Sequence, residues 1–108
     1  MKALQWTMII PKEKQDKFIG WFNKTAGPGL GKFGALKHEL YKVSDKAIVG
    51  RQKIEKDKYI ERIYFEDKFS IPDYFIAVKN DPKAWRLSRM FEDNFGAKNV
   101  GLNILFEK

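Results

Sequence analysis

The chain has 108 residues, 44% of them hydrophobic and 15% aromatic, which suits one globular domain with one core across residues 1–108. It has no cysteine and one histidine, His38, which excludes disulfides, thiolate nucleophiles and Cys-type zinc and leaves no His-rich metal set. Lys and Arg number 21 against 14 acids, a net charge of +7, but the basic residues are interleaved with Glu and Asp, so a solvated surface accounts for them.

No apolar run approaches the ~20 residues of a membrane helix. Met1 to Ile10 lacks the apolar stretch of a signal peptide, so the expected compartment is cytoplasmic and no membrane partner is expected.

The first element is a strand from Ala3 to Ile10. Leu4, Trp6, Met8 and Ile10 face one way, and Ala3, Gln5, Thr7 and Ile9 the other. Pro11 opens a helix expected to run to about Thr25, with Phe18, Ile19 and Phe22 on one stripe and Trp21 beside it. Ala26 to Gly34 holds four glycines and one proline, which predicts a flexible loop with little regular structure.

Leu36 to Val43 alternates again, with Leu36, His38 and Leu40 on one face. Ala47 to Ile54 reads either as an extra short strand or as part of a long hairpin arm, and Glu55 to Lys58 as a polar turn. Tyr59 to Glu66 is a strand with Tyr59, Glu61, Ile63 and Phe65 on one side. A helical piece, Asp73 to Lys79, is broken at Asn80-Asp81-Pro82. Asp81 is the expected N-cap and Pro82 the first residue of a second piece running to about Phe95. Gly96 then ends it, and Val100 to Phe106 is the last strand.

The order is strand, helix, strand, strand, broken helix, strand. That is the ferredoxin-like split βαβ pattern: a four- or five-stranded antiparallel sheet with both helical regions on one face. The other face is left bare, to be solvated or covered by a partner.

This order, the size and the interrupted second helix around Phe75 to Trp85 resemble the dimeric α+β barrel superfamily, which includes antibiotic-biosynthesis monooxygenase-like and heme-handling domains. The 47–58 segment departs from it, being longer than the usual hairpin. The resemblance implies a homodimer whose two sheets meet through Gln5, Thr7, Tyr41, Arg62, Tyr64, Asn103 and Leu105. It also implies a ligand cavity between sheet and helices.

In this chain that cavity would be lined by Trp6, Met8, Trp21, Phe22, His38, Leu40, Ile63, Trp85 and Phe91. His38 is the one titratable group in an otherwise apolar strand face, with Glu61 on a neighbouring strand, so it is the candidate acid–base residue. Trp6, Trp21, Glu61 and Trp85 are the candidate ligand-binding residues, with Asn94 a further polar group of suitable type. The plainer alternatives are a hydrogen-bonded core histidine and an ordinary aromatic core.

The implied activity is that of a cofactor-free monooxygenase-like enzyme acting on a small apolar or aromatic molecule. The alternative is a non-enzymatic ligand-binding or structural homodimer. No residue pattern specifies a cofactor, and a heme role for His38 fits poorly, because it lies in the second strand rather than the second helical region. Gly31-Lys32 is followed by Phe33, not Ser or Thr, so there is no phosphate loop. Nucleic-acid binding is a third reading, disfavoured because the third strand carries acids where an RNA-binding sheet needs glycine and aromatics.

Overall fold

In strand β1, Lys2–Ile9, the alternation read from the sequence places Leu4 and Met8 in the core, and Ile10 just beyond it is fully buried. The computed structural model describes residues 1–51 and 53–108. β1 is flanked by β3, Lys58–Phe65, and β4, Lys98–Phe106, and β3 in turn by β2, Lys37–Lys42. All three pairings are antiparallel, and the strand order is β2-β3-β1-β4.

The register sets the later chemistry. Trp6 pairs with Glu61 on one side and Leu102 on the other, and Glu61 pairs with Leu40. Leu40, Glu61, Trp6 and Leu102 therefore form one row across the sheet. His38 pairs with Ile63, two residues along β3 from Glu61 on the same face.

The helices cover that face. A 3₁₀ turn at Lys12–Lys14 leads into α1, Gln15–Trp21. The helical path then widens into a π turn at Phe22–Ala26 and continues as α2, Gly27–Gly31. The flexible loop expected from Ala26 is thus corrected: its first part is helical. Ala26 and Leu30 are buried and hold the segment on the core, and Pro28 is tolerated near the start of α2. Gly29 permits close packing, since a Cβ there would run into the δ-methyl of Leu87. Gly34 is the turn residue, at φ +91°.

α3 spans Ile71–Asn80 and α4 Pro82–Asp93. Ser70 caps α3 by accepting from the Asp73 amide, and Asp81 caps α4 by accepting from the Ala84 amide at 3.0 Å, as the Asp-Pro pair predicts. Phe18 centres the core, its ring 5.4 to 5.8 Å from those of Tyr59, Phe95 and Phe91.

Among the described residues no strand forms between β2 and β3, so the sheet has four strands; position 52 of the 47–58 segment lies outside the described residues. The long apolar side of β4 also departs from expectation. Val100, Leu102 and Ile104 are nearly half-exposed and Phe106 more so, because the helices leave this edge uncovered. No helix is long and apolar enough to cross a membrane.

Gln15 ties the sheet end to α1, a role the sequence did not advertise. Its buried amide donates to the Ile10 carbonyl and Asp57 Oδ1, both at 2.9 Å, and accepts from Lys42 Nζ at 3.0 Å and the Tyr59 hydroxyl at 3.1 Å. Gln15→Leu keeps the volume but strands these partners. It should lower unfolding free energy by about 2–4 kcal/mol in urea titration, since two of them are buried.

On the bare face, the Tyr41 hydroxyl first, and then the Lys37 ammonium 2.9 Å away, hold the Glu39 carboxyl down at about 2. That lies below the ordinary carboxylate value near ~4.3. The stabilisation is therefore present above that value and is lost as pH falls from about 4 towards 2. Tyr41→Phe should raise the Glu39 midpoint, read by carboxyl ¹³C NMR.

Candidate functional site

β3 brings a carboxylate into the apolar layer between sheet and helices. Glu61 sits between Tyr59 and Ile63 on the inward face, and its side chain is 4% exposed. An ionised carboxylate in such surroundings needs a donor. His38 on β2 supplies it, with Nε2 2.9 Å from Glu61 Oε1.

The other ring nitrogen, Nδ1, lies 2.9 Å from the Gly27 carbonyl. That carbonyl can only accept, so Nδ1 carries a hydrogen. One further proton lies between Nε2 and Oε1, giving either imidazolium and carboxylate or two neutral partners. The Phe22 ring stands edge-on to the imidazole at 4.8 Å. The π turn and α2 thus position both the carbonyl and the ring that fix His38, although neither came from a recognisable motif.

Glu61 also forms part of the wall of a cleft of about 270 Å³ between the sheet and α3–α4. Trp6 and Phe75 meet edge-to-face at 6.2 Å on one side. Trp85, 46% exposed, and Glu92 contribute from α4, and Tyr74 and Met8 lie deeper. The Tyr74 hydroxyl donates to the Leu30 carbonyl at 2.9 Å. Burial, and secondarily the charge of Glu61, push its pKa up. Among the described residues only Oε1 of Glu61 is hydrogen-bonded, which leaves Oε2 free at the cleft wall.

Of the residues expected at the site, Trp6, Glu61 and Trp85 meet in this cleft. His38 touches it through Glu61, while its own ring lines a separate, more open groove of about 430 Å³ beside Gly27, Gly31 and Lys37. Trp21 lies elsewhere, packed on Phe95 at 4.7 Å and Phe91 at 5.0 Å. Its buried indole N–H has no partner among the described residues. Asn94 ends α4, where its backbone carbonyl accepts from Lys14. Sequence reasoning missed Phe75 and Glu92. The helical spacing of Trp85, Ser88 and Glu92 on one face of α4 would have found the second.

His38 does not fit an axial heme ligand, since both ring nitrogens are engaged within the protein. Among the described residues no group of three or more His, Cys, Asp or Glu side chains is placed to hold a metal.

No protein-family model matches the chain, and no curated protein matches it. Solved structures do. A Deinococcus radiodurans protein described provisionally as an antibiotic biosynthesis monooxygenase aligns over 100% of this chain and 93% of its own, at 6% identity and a TM-score of 0.67. HapK from Hahella chejuensis aligns over 100% and 93%, at 15% identity and 0.66. A dimeric ferredoxin-like protein from an uncultured marine organism aligns over 99% and 95%, at 16% identity and 0.56. At these identities the likeness speaks for the backbone: the chain has the ferredoxin-like α+β fold.

Proposed function

We propose that this protein is a small homodimeric, cofactor-free oxygenase-like enzyme that takes an apolar aromatic molecule into the cleft and removes a proton from it. One observation carries the reading: a buried carboxylate with one oxygen held by His38 and the other unbonded among the described residues, at the wall of an aromatic space. The monooxygenase description of the Deinococcus radiodurans protein supports it by analogy of fold.

In this reading Trp6, Phe75 and Trp85 hold the ring system, and Glu61 Oε2 takes the proton of an acidic C–H. His38 is a positioning residue, because its nitrogens are already engaged. It orients the carboxylate and keeps its own proton on Nε2 while the substrate proton sits on Oε2. Excluding water strengthens that transfer. Dioxygen is the oxidant. A methylene R₂CH₂ gives R₂C=O and H₂O, one oxygen atom entering as the carbonyl and the other leaving as water with the two hydrogens.

A non-enzymatic ligand-binding homodimer is the second reading. It is favoured by the closure of both His38 nitrogens, and it predicts binding without turnover.

The test is oxygen consumption with 1,8-dihydroxyanthrone, whose flanked methylene is acidic enough for a carboxylate. Wild-type protein should consume oxygen, and Glu61→Gln should lower the rate about 10²-fold while keeping the fold, because its amide can donate to His38. Equal rates in the two proteins would remove Glu61 from the chemistry. Ligand-induced tryptophan quenching without oxygen uptake would select the second reading.

His38→Ala should cost about 2–3 kcal/mol of stability in urea unfolding, because it strands Glu61 Oε1 and the Gly27 carbonyl. A variant as stable as wild type would contradict the pairing. The homodimer rests on the bare sheet face, where Arg62 donates to Gln5 at 2.7 Å, and on the dimeric relative of like fold. Light scattering at micromolar protein should give twice the 12.7 kDa chain mass, and a monomer mass would sink it.

A further inference from the structure

The charge of the cleft is opposite to that of the chain. The protein carries +7, yet among the described residues no lysine or arginine lines the cleft, whose charged side chains are Glu61 and Glu92. His38 can balance Glu61 through its Nε2 contact, which leaves Glu92 to make the space net negative. An anionic ligand would meet Glu61, already paired with His38, and the exposed Glu92, with no lysine or arginine among the described residues lining the space.

The walls point the same way. Trp6 and Glu61 are directly paired across β1 and β3 and share the inward face. On adjacent strands such a pair sets Cβ atoms only ~5 Å apart. A group that reaches the free oxygen of Glu61 therefore lies beside the indole of Trp6. Phe75 stands edge-on to that indole, and Trp85 adds a third ring from α4. Aromatic faces next to a carboxylate oxygen, out of bulk water, attract organic cations through their ring quadrupoles as well as through the partial negative charge of that oxygen.

The carboxylate is nine-tenths buried and its second oxygen has no partner among the described residues, so it is a built feature of the cleft. An arriving ammonium or alkylammonium group would supply the missing partner.

We propose that the cleft selects organic cations: molecules with an aromatic or apolar body and an ammonium or quaternary ammonium head, the head seated between Glu61 and Trp6. This names the ligand class of the cleft and rests on its being a ligand site. A cationic head would occupy the Glu61 oxygen that the oxygenase reading uses as its base, so the inference goes with the second, ligand-binding reading. The body of the ligand packs towards Phe75 and Trp85, and Glu92 favours entry of the positive charge.

The test is a tryptophan-fluorescence titration with three probes of like shape: benzyltrimethylammonium, its uncharged carbon isostere neopentylbenzene, and phenylacetate. The cation should bind at least tenfold more tightly than the isostere, and phenylacetate should not bind measurably. Glu61→Gln should weaken the cation about tenfold and leave the isostere unchanged. Trp85→Leu, at a half-exposed position that the fold tolerates, should weaken the cation severalfold.

Equal affinity for cation and isostere, or a preference for phenylacetate, overturns the proposal. Failure of all three probes overturns it together with the cleft as a ligand site. Cation binding by a protein that consumes no oxygen leaves the proposal standing and removes only the enzymatic reading.

Discussion

A carboxylate can stay inside an apolar layer only if something donates to it. That constraint organises this molecule. Glu61 occupies the third strand where an aliphatic residue would serve packing better, and His38 on the next strand meets it at 2.9 Å. The imidazole is then fixed by the Gly27 carbonyl and the Phe22 ring. Removing Glu61, His38 or the Gly27 carbonyl leaves a buried polar group without its partner, which is why α2, the π turn and β2 have to sit where they do.

The glycine-rich stretch takes its meaning from the same constraint. α2 must lie close enough for a backbone carbonyl to reach His38, and it is wedged against α4 beside Leu87. Small residues allow that approach. The π turn at Phe22–Ala26 adds the extra backbone that brings Gly27 round to β2. Composition alone reads such a segment as loose, whereas here the absence of side chains is what lets two helices touch.

The strands were legible in the sequence because their alternation is strong: Tyr59, Glu61, Ile63 and Phe65 are all buried, as their period of two requires. The caps at Asp81 and Gly96 were legible because they follow local backbone chemistry. The Glu61–His38 pair was half legible, since strand position places both on one face but does not say which nitrogen meets what. Trp21 and Trp85 show the limit. Both are aromatic and helical, yet the rotation of each helix over the sheet decides which enters the cleft, and that rotation depends on packing against residues far away in the chain. Gln15 was not legible at all, because nothing local distinguishes a glutamine with four partners from one in solvent.

The uncovered side of β4 has a bearing on how copies of this chain behave together. A sheet-edge strand with half-exposed Val100, Leu102, Ile104 and Phe106 offers both free backbone groups and apolar side chains to any like edge. The net charge of +7 opposes such encounters by mutual repulsion. The dispersed lysines thus act as a long-range spacer, whose reach shrinks from about 30 Å in dilute buffer to about 8 Å at physiological ionic strength. The colloidal stability of the protein is accordingly a property of its solvent: the same edge that is kept apart at low salt becomes adhesive as the ions close in.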